Sequence, residues 1–221
     1  MDLLMTWLPA FLVGARNTLI YCCISFPLAL LLGLMLAEMK NARYVWLSMP
    51  AKLFIEAFRN TPIITQIFLI YYGVGGVLTA SNLAHFDNAW VAGVACLTLN
   101  YAAYEAEVFR AGFLSVERGQ SEAAYSLGLS AWHVFRRIIF PQAVPLMLPT
   151  FVNDFIYMLK DSAIVAVISG SELTSTLLLA TFRNPGNTLP LFSLALALYL
   201  AMSLPISFVA RYCERRLRAA F

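Results

Sequence analysis

Charged residues are scarce in this chain. Asp, Glu, Lys and Arg make up 12% of its 221 residues, where about 25% is usual for a soluble domain. Three stretches, 17–37, 60–84 and 184–210, contain none of them. Each is at least as long as the roughly 20 residues that cross a hydrocarbon layer as a helix. The composition therefore excludes a single water-soluble core and predicts an all-α integral membrane protein.

Residues for metal, dithiol or nucleotide chemistry are also few. The four cysteines form no C-x-x-C pair, and neither His85 nor His133 has a second histidine four residues away. No glycine-rich phosphate loop followed by Lys and Ser or Thr occurs, so this chain is not expected to hydrolyse nucleotide by that route. The net charge of +3 is small, and the basic residues follow membrane edges, which argues against nucleic acid. We predict no metal, no cofactor in this chain and no enzymatic activity.

Hydropathy predicts five membrane-spanning helices. Their expected bounds are 12–38, 56–80, 89–112, 142–168 and 188–210. Most Lys and Arg residues fall in the 38–56 loop, the 112–142 loop and the C-terminus. The positive-inside rule makes that side cytoplasmic, so the N-terminus faces outward and the C-terminus inward.

The loops on the opposite side are short, which predicts that a separate protein captures solute outside. No internal repeat is visible, and an odd number of spans does not divide into two inverted halves. Both features argue against a secondary transporter built from paired repeats.

The 112–141 segment is the one long cytoplasmic loop. Its sequence predicts a short helix with Gly119 as N-cap and Glu122 reaching back to the cap amide. Gly128 supplies a left-handed residue that ends this helix. Ser130 then caps a second helix over 131–140, and Pro141 marks the entry to the fourth span.

Two small neighbours in this loop, Ala123 and Ala124, allow another backbone to approach closely. A small-sided helix held away from the membrane suits insertion into a groove on a partner. A helix lying against its own bundle is equally compatible with these residues.

The loop resembles the E-A-A loop of ABC importer permeases. The resemblance is carried by Glu122-Ala123-Ala124, by Gly128, and by Ile138-x-Phe140-Pro141, where Phe140 replaces the usual Leu. In that family the loop docks into the ATP-hydrolysing subunit. The resemblance therefore implies that the ATPase-coupling residues are Glu122, Ala123, Ala124, Gly128 and Pro141.

Further motifs are similar to those of permeases for polar amino acids. They are Phe58-Arg59-Asn60-Thr61-Pro62 with Gln66-x-Phe68-Leu69-x-Tyr71-Tyr72, Asn100-x-x-x-Tyr104-x-x-Glu107-x-Phe109-Arg110-Ala111-Gly112, and Leu159-Lys160-Asp161-Ser162. Many permeases of the family have Gly where Asn60 stands. The second-span motif assigned from this similarity comprises Arg59, Thr61 and Pro62.

Polar residues inside the predicted spans are candidates for a substrate pathway, because a charge at mid-membrane costs about 2.5–3.5 kcal/mol. In the third span, helical spacing places three of them on one face: Asn100, Tyr104 and Glu107. In the fourth, two adjacent stripes comprise Asn153 with Lys160 and Asp154 with Asp161. If these faces meet, they form a lane with both signs of charge, which suits a zwitterionic amino acid.

Structural alternatives remain open for these residues. Glu107 can pair with Arg110 three residues on, and Lys160 can reach outer headgroups or pair with a neighbouring Asp. Asn100 and Asn153 can simply hydrogen-bond between helices. Tyr104 is more often a packing residue than a ligand.

These observations predict the permease subunit of an ATP-driven ABC importer for polar amino acids. The resemblance implies a type I importer permease fold over 1–221 in a bacterial inner membrane. It also implies three protein partners: an ATPase dimer that binds ATP and Mg, a second permease subunit, and an extracytoplasmic solute-binding protein. Lys160 slightly favours a substrate with an acidic or amide side chain. The alternatives are a small membrane enzyme or regulator acting on lipid, with Glu105, Glu107, Asp154 and Asp161 as carboxylates, and an ATP-independent channel.

Overall fold

The computed structural model describes residues 2–80 and 88–218, and the regular structure within these ranges is helical throughout. The α-helices of this part are α1 (Asp2–Lys40), α2 (Val45–Arg59), α3 (Ile63–Phe68), α4 (Gly75–Ala80), α5 (Ala89–Leu114), α6 (Arg118–Ser126), α7 (Ala131–Val134), α8 (Phe140–Asp161), α9 (Leu173–Arg183) and α10 (Thr188–Arg218). The π-helical segments Leu69–Val74 and Phe135–Ile139 join α3 to α4 and α7 to α8. The 3-10 segments Ser162–Ile168 and Pro185–Asn187 follow α8 and precede α10.

Two stretches of the described chain are single helices long and apolar enough to cross a membrane, Leu3–Lys40 and Pro185–Tyr212. Two bent pairs raise the number to 4 if each counts as one span: Val45–Arg59 with Ile63–Leu78, and Ala131–Ile168 with Leu173–Arg183. Helix α5 has 26 residues, but its polar side chains lower its hydropathy. The all-helical prediction is confirmed, while the count of five spans and the orientation of the termini stay predictions.

The predicted second span, 56–80, begins too early. Helix α2 ends at Arg59, and the chain turns through 112° before α3. Pro62 is extended, with φ −63° and ψ 136°, and its missing N–H cannot continue the hydrogen bonding of α2. A hydropathy average over residues 56–80 does not detect this bend, because the long apolar stretch after Pro62 dominates the average.

Helices α1 and α5 form the centre of the bundle. Their contact is the most extensive between helices of the described chain. Gly33 is a point of close approach: a Cβ added there would lie 2.8 Å from the Cβ of Glu105 and 3.0 Å from the carbonyl oxygen of Ala102. Such spacing, shorter than van der Waals contact, shows that α1 needs glycine at this crossing.

We expect Gly33→Ala to destabilise the protein, because the added methyl group forces α1 and α5 apart. Overpacking of this kind costs about 1–3 kcal/mol, so the melting temperature in detergent should fall by several degrees. Gly76→Ala is the matched control, since no atom lies within 4 Å of the Cβ that it adds. Equal melting temperatures for the two variants would contradict the close α1–α5 contact.

The segment 170–187, predicted as a short outer loop, contains helix α9. Glu172, fully buried, caps it by accepting the backbone N–H groups of Thr174 at 2.7 Å and Ser175 at 2.6 Å. The hydroxyl of Tyr199 on α10 donates to the same carboxylate at 3.3 Å. The prediction missed α9 because eleven residues are too few for a span and because Glu is not among the favoured N-cap residues.

Candidate substrate pathway and coupling surface

The polar faces of α5 and α8 border two adjoining clefts. The first, here called the Glu107 cleft, has a volume of about 450 Å³ and is lined by Arg59, Tyr104, Glu107, Val108, Ala111, Gly112, Ser115, Leu146, Met147, Thr150 and Asp154. The second, the Asn100 cleft, has about 350 Å³ and is lined by Thr61, Pro62, Ile63, Asn100, Tyr101, Tyr104, Asp154, Tyr157 and Asp161. Because Tyr104 and Asp154 line both, the two clefts are neighbours.

The structure separates the two polar stripes of α8. Asp154 and Asp161, two helical turns apart, both line the clefts facing α5. Asn153 and Lys160 are exposed and line neither cleft. The ammonium group of Lys160 instead lies 4.4 Å from the centroid of the Tyr157 ring. The two stripes are one residue apart, which is a rotation of about 100° around the helix axis. This difference decides which stripe faces α5.

Free charges of both signs border the Glu107 cleft. The Asp154 carboxylate has no hydrogen-bond or ion-pair partner in the described part of the chain. The Arg59 guanidinium lies over Tyr104, 5.7 Å from the ring centroid. Asp161, in contrast, accepts a hydrogen bond from the hydroxyl of Tyr101 at 2.8 Å. Asp154 is therefore the lining carboxylate that is available to a ligand.

Glu107 belongs to an ion-pair cluster. It pairs with Arg110 on the same helix at 2.8 Å. This is the ion pair that the sequence offered as the structural alternative to a substrate contact. It also pairs with Lys40, at the end of α1, at 2.5 Å. Two cations already neutralise this carboxylate, so Glu107 lines its cleft without offering a free charge. Lys40 was missing from the sequence-based list because it lies 67 positions away from Glu107.

Asn100 makes a hydrogen bond between helices. Its Nδ2 donates to Oε1 of Gln66 at 2.9 Å, and Nε2 of Gln66 donates to the carbonyl oxygens of Phe58 at 2.8 Å and Thr61 at 3.0 Å. These carbonyl groups lie where α2 ends, and helix ends lack intrahelical partners. Gln66 therefore holds the α2–α3 bend, including Thr61 and Pro62, against α5. The second-span sequence pattern contains Gln66, but sequence reasoning did not assign it a role.

The predicted loop helix exists, with one correction at its start. Helix α6 begins at Arg118 with Glu117 at the N-cap position, so Gly119 lies inside the helix and is not the cap. Its end agrees with the prediction: Gly128 has φ +77°. The N–H groups of Gly128 and Leu129 donate to the carbonyl oxygens of Tyr125 at 2.9 Å and Ala124 at 3.2 Å, which is the Schellman arrangement.

Large apolar side chains are exposed on this loop. Ala124 is buried toward the protein, while Glu122 and Ala123 are exposed. Tyr125, Leu127 and Trp132 are 52%, 82% and 63% exposed. We call Ala123, Tyr125, Leu127 and Trp132 the coupling patch. Exposed apolar residues close together in sequence, with polar neighbours, are typical of a protein interface.

The coupling patch is connected to the cleft helices by aromatic rings. Trp132 stacks near Phe135 with ring centroids 6.2 Å apart, and Phe135 meets Phe113 of α5 edge to face at 5.3 Å. The helix then runs without a break from α7 through the π-helical segment into α8. Gln142 donates to the carbonyl oxygen of Ile138 at 2.9 Å, beside Pro141, so Pro141 lies at the start of α8 without ending the helix.

The chain matches a family model described as the inner membrane component of binding-protein-dependent transport systems, over residues 29–219. The protein belongs to this family. Among its relatives, the octopine transport system permease OccM of Rhizobium radiobacter is 38% identical over 200 residues, covering 88% of this chain and 80% of the relative. The glutamine transport system permease GlnP of Escherichia coli K12 is 34% identical over 215 residues, covering 96% and 94%.

Solved structures agree with this membership. The crystal structure of an amino acid ABC transporter with histidines matches the permease with a TM-score of 0.86 and 35% identity, covering 96% of each chain. The MetNI methionine ABC transporter matches with a TM-score of 0.71 at 17% identity, covering 96% of this chain and 97% of that one, and so shows the fold alone.

The predicted family and class are therefore confirmed. The chain is a permease subunit of an ABC importer for amino acids, a multi-pass protein of the inner membrane and a transport subunit rather than an enzyme. Family membership implies that an ATPase and a binding protein work with it. The alternative of a lipid-acting enzyme is set aside.

Proposed function

We propose that this permease moves polar amino acids through the Glu107 and Asn100 clefts in an importer driven by ATP. The observation that carries the proposal is the pair of opposite charges in the lining of the Glu107 cleft, Asp154 without a partner among the described residues and Arg59 over Tyr104. An α-amino acid presents an ammonium and a carboxylate group. Asp154 can accept the first, Arg59 can donate to the second, and such charge-assisted hydrogen bonds are the strong ones.

The other residues predicted for the pathway have supporting places in this proposal. Asn100, Thr61 and Pro62 form the wall held by Gln66, while Tyr104 and Asp154 connect the two clefts. Glu107 lines the Glu107 cleft while its charge is neutralised by Lys40 and Arg110. Asn153 and Lys160 lie on the outward face of α8.

The charges of the lining bear on the substrate side chain. The preference for acidic or amide side chains rested on Lys160, which lies outside both clefts. Asp154 and Asp161 outnumber Arg59, which disfavours a second negative charge on the substrate. We therefore propose amide or cationic side chains; the similar permeases named for glutamine and octopine agree with such a range.

We further propose that an ATPase dimer, which binds ATP and Mg, docks on the coupling patch. In this proposal the exposed Glu122 and Ala123 of α6 contact the ATPase, and Gly128 ends α6. The segment that follows, through Pro141, connects α6 to α8. Trp132 of the patch contacts Phe135, and Phe135 contacts Phe113 of α5. Movement of the docked ATPase would then move both cleft helices together.

A second permease subunit completes the proposed assembly. Asn153 and Lys160 are exposed on one face of α8, and an ammonium group facing hydrocarbon with only an aromatic ring beside it is costly. A second copy or a homologous chain covering this face removes that cost. The proposal places five spans in each subunit, with the N-terminus outside and the 112–141 loop inside, facing the ATPase. A solute-binding protein then delivers the amino acid from outside.

Uptake by the reconstituted importer tests this function. Proteoliposomes containing the permease, its ATPase and its binding protein should accumulate radiolabelled glutamine or arginine only with internal ATP and Mg. Omitting the ATPase should abolish uptake, and glutamate should compete poorly. Flux that continues without nucleotide would show a channel instead, and strong competition by glutamate alone would overturn the side-chain preference.

A further inference from the structure

Helix α2 has three distinct faces. Ser48, Ala51 and Ile55 are buried, and α2 packs against both α1 and α5. The spacing of three and four residues places them on one line along the helix. Because the chain turns through 112° between α2 and α3, α2 does not continue the direction of the span that follows it.

The second face is apolar and exposed. Trp46, Met49 and Leu53 again follow a spacing of three and four residues, and they are 73%, 51% and 59% exposed. Tyr44, at the N-cap, is also exposed, and its ring centroid lies 6.1 Å from that of Trp46. Trp and Tyr are enriched where hydrocarbon meets water, because their rings have an apolar body and a polar end.

The third face is charged. Lys52, Glu56 and Arg59 are four and three residues apart, and all three are exposed. Arg43 lies immediately before the helix. Neither Arg43 nor Lys52 has an ion-pair or hydrogen-bond partner among the described residues. Two cations without partners therefore lie beside the exposed apolar stripe.

The level of α2 relative to the apolar layer follows from its neighbours. Lys40 ends α1 and pairs with Glu107 on α5, which also pairs with Arg110. This ion-pair cluster marks the level at which both helices leave hydrocarbon, since charges inside that layer are costly. Helix α2 starts five residues after Lys40, and Arg59 at its end lines the same cleft as Glu107. Both ends of α2 therefore lie near this level.

We propose that α2 lies in the membrane interface, where the stripe of Trp46, Met49 and Leu53 contacts acyl chains and Arg43 and Lys52 bind the headgroups of anionic phospholipids. An amphipathic helix with aromatic residues on the apolar side and unpaired cations at its edge suits an anionic lipid surface. Through Arg59 and the Gln66-held bend, this lipid contact positions one wall of the substrate clefts. Transport therefore depends on anionic lipid.

Fluorescence quenching of Trp46 tests the depth of α2 in the complete importer. The signal is the difference between wild type and Trp46→Phe, in vesicles of phosphatidylcholine brominated at different acyl positions. Bromines nearest the headgroup should quench Trp46 most strongly. If bromines at every acyl position quench Trp46 equally weakly, a protein covers the stripe. If bromines at the chain ends quench it most strongly, α2 lies deep in the bilayer. Either result overturns the proposal.

A lipid titration tests the charge preference. Wild type and the double variant Arg43→Gln/Lys52→Gln are reconstituted in phosphatidylcholine with increasing phosphatidylglycerol, and ATP-driven uptake and retained phosphatidylglycerol are measured. The phosphatidylglycerol content that gives half-maximal stimulation of uptake should be higher in the variant, by about fivefold for each cation removed. Arg183→Gln, which removes an exposed cation at the end of α9, should behave as wild type. Identical titrations for wild type and the double variant would overturn the headgroup contact.

Discussion

Asp154→Asn should reduce uptake about tenfold to a hundredfold, whereas Asn153→Ala on the adjacent position should leave it near the wild-type rate. Asp154 lines both clefts without a partner, so its charge is free for the substrate ammonium group. A hydrogen bond to a charged group contributes about 1.5–3 kcal/mol, which corresponds to this range. The effect should appear in the substrate concentration for half-maximal uptake and in the substrate-stimulated ATPase rate of the reconstituted importer.

The two variants also show which polar stripe of α8 contacts the substrate, the one with Asp154 or the one with Asn153. Sequence spacing admits both α8 stripes, and the structure places only Asp154 and Asp161 in the clefts. Detergent melting curves of the two variants would show that both fold. A loss with Asn153→Ala and full uptake with Asp154→Asn would show that the other stripe carries the substrate.

Gly128→Pro should abolish ATP-driven uptake while the spans remain inserted. Gly128 has φ +77°, which proline, held near −65°, cannot adopt, and the variant loses the N–H bond to Tyr125. Gly128→Ala, strained by about 1–2 kcal/mol, should give an intermediate loss. The measurements are uptake and ATP turnover in proteoliposomes, together with copurification of the ATPase.

Gly119→Ala is the control for this series, because no atom lies within 4 Å of the added Cβ and the residue lies inside α6. It should transport as wild type. Full uptake and full substrate-stimulated ATP turnover in Gly128→Pro would contradict the role of the coupling patch. A Gly128→Pro protein that still binds the ATPase but hydrolyses ATP without transport would show that the loop transmits movement in addition to docking.

Local chemistry explains which predictions succeeded. The end of α6 at Gly128 depends on a backbone conformation that glycine adopts at little cost, so neighbouring residues suffice to predict it. Ser130 likewise lies at the N-cap position of α7, although its hydroxyl pairs with His133 at 2.8 Å. The start of α6 was misplaced because Glu117 takes the N-cap position without a side-chain cap bond.

Contacts between distant segments explain what the sequence could not predict. Lys40 reaches Glu107 across 67 positions, and Tyr101 reaches Asp161 across 60. No spacing rule within one helix reports such pairs. The phase of α8 has the same cause: its two polar stripes differ by one residue, and packing against α5 decides which of them is enclosed.

Composition alone predicted a helical membrane protein, because charge-free runs of this length are typical of helices that span a bilayer. The resemblance of short motifs to those of ABC permeases predicted the amino acid importer family, and the end of the loop helix at Gly128 is encoded locally. Tertiary structure decided the rest: the 112° turn before α3, the helix α9, and the selection of Asp154 over Asn153 as the cleft residue. Distant contacts hold the first two in place, through Asn100 with Gln66 and Tyr199 with Glu172. The choice of Asp154 depends on which surface of α8 meets α5, and such contacts are absent from any single stretch of the chain.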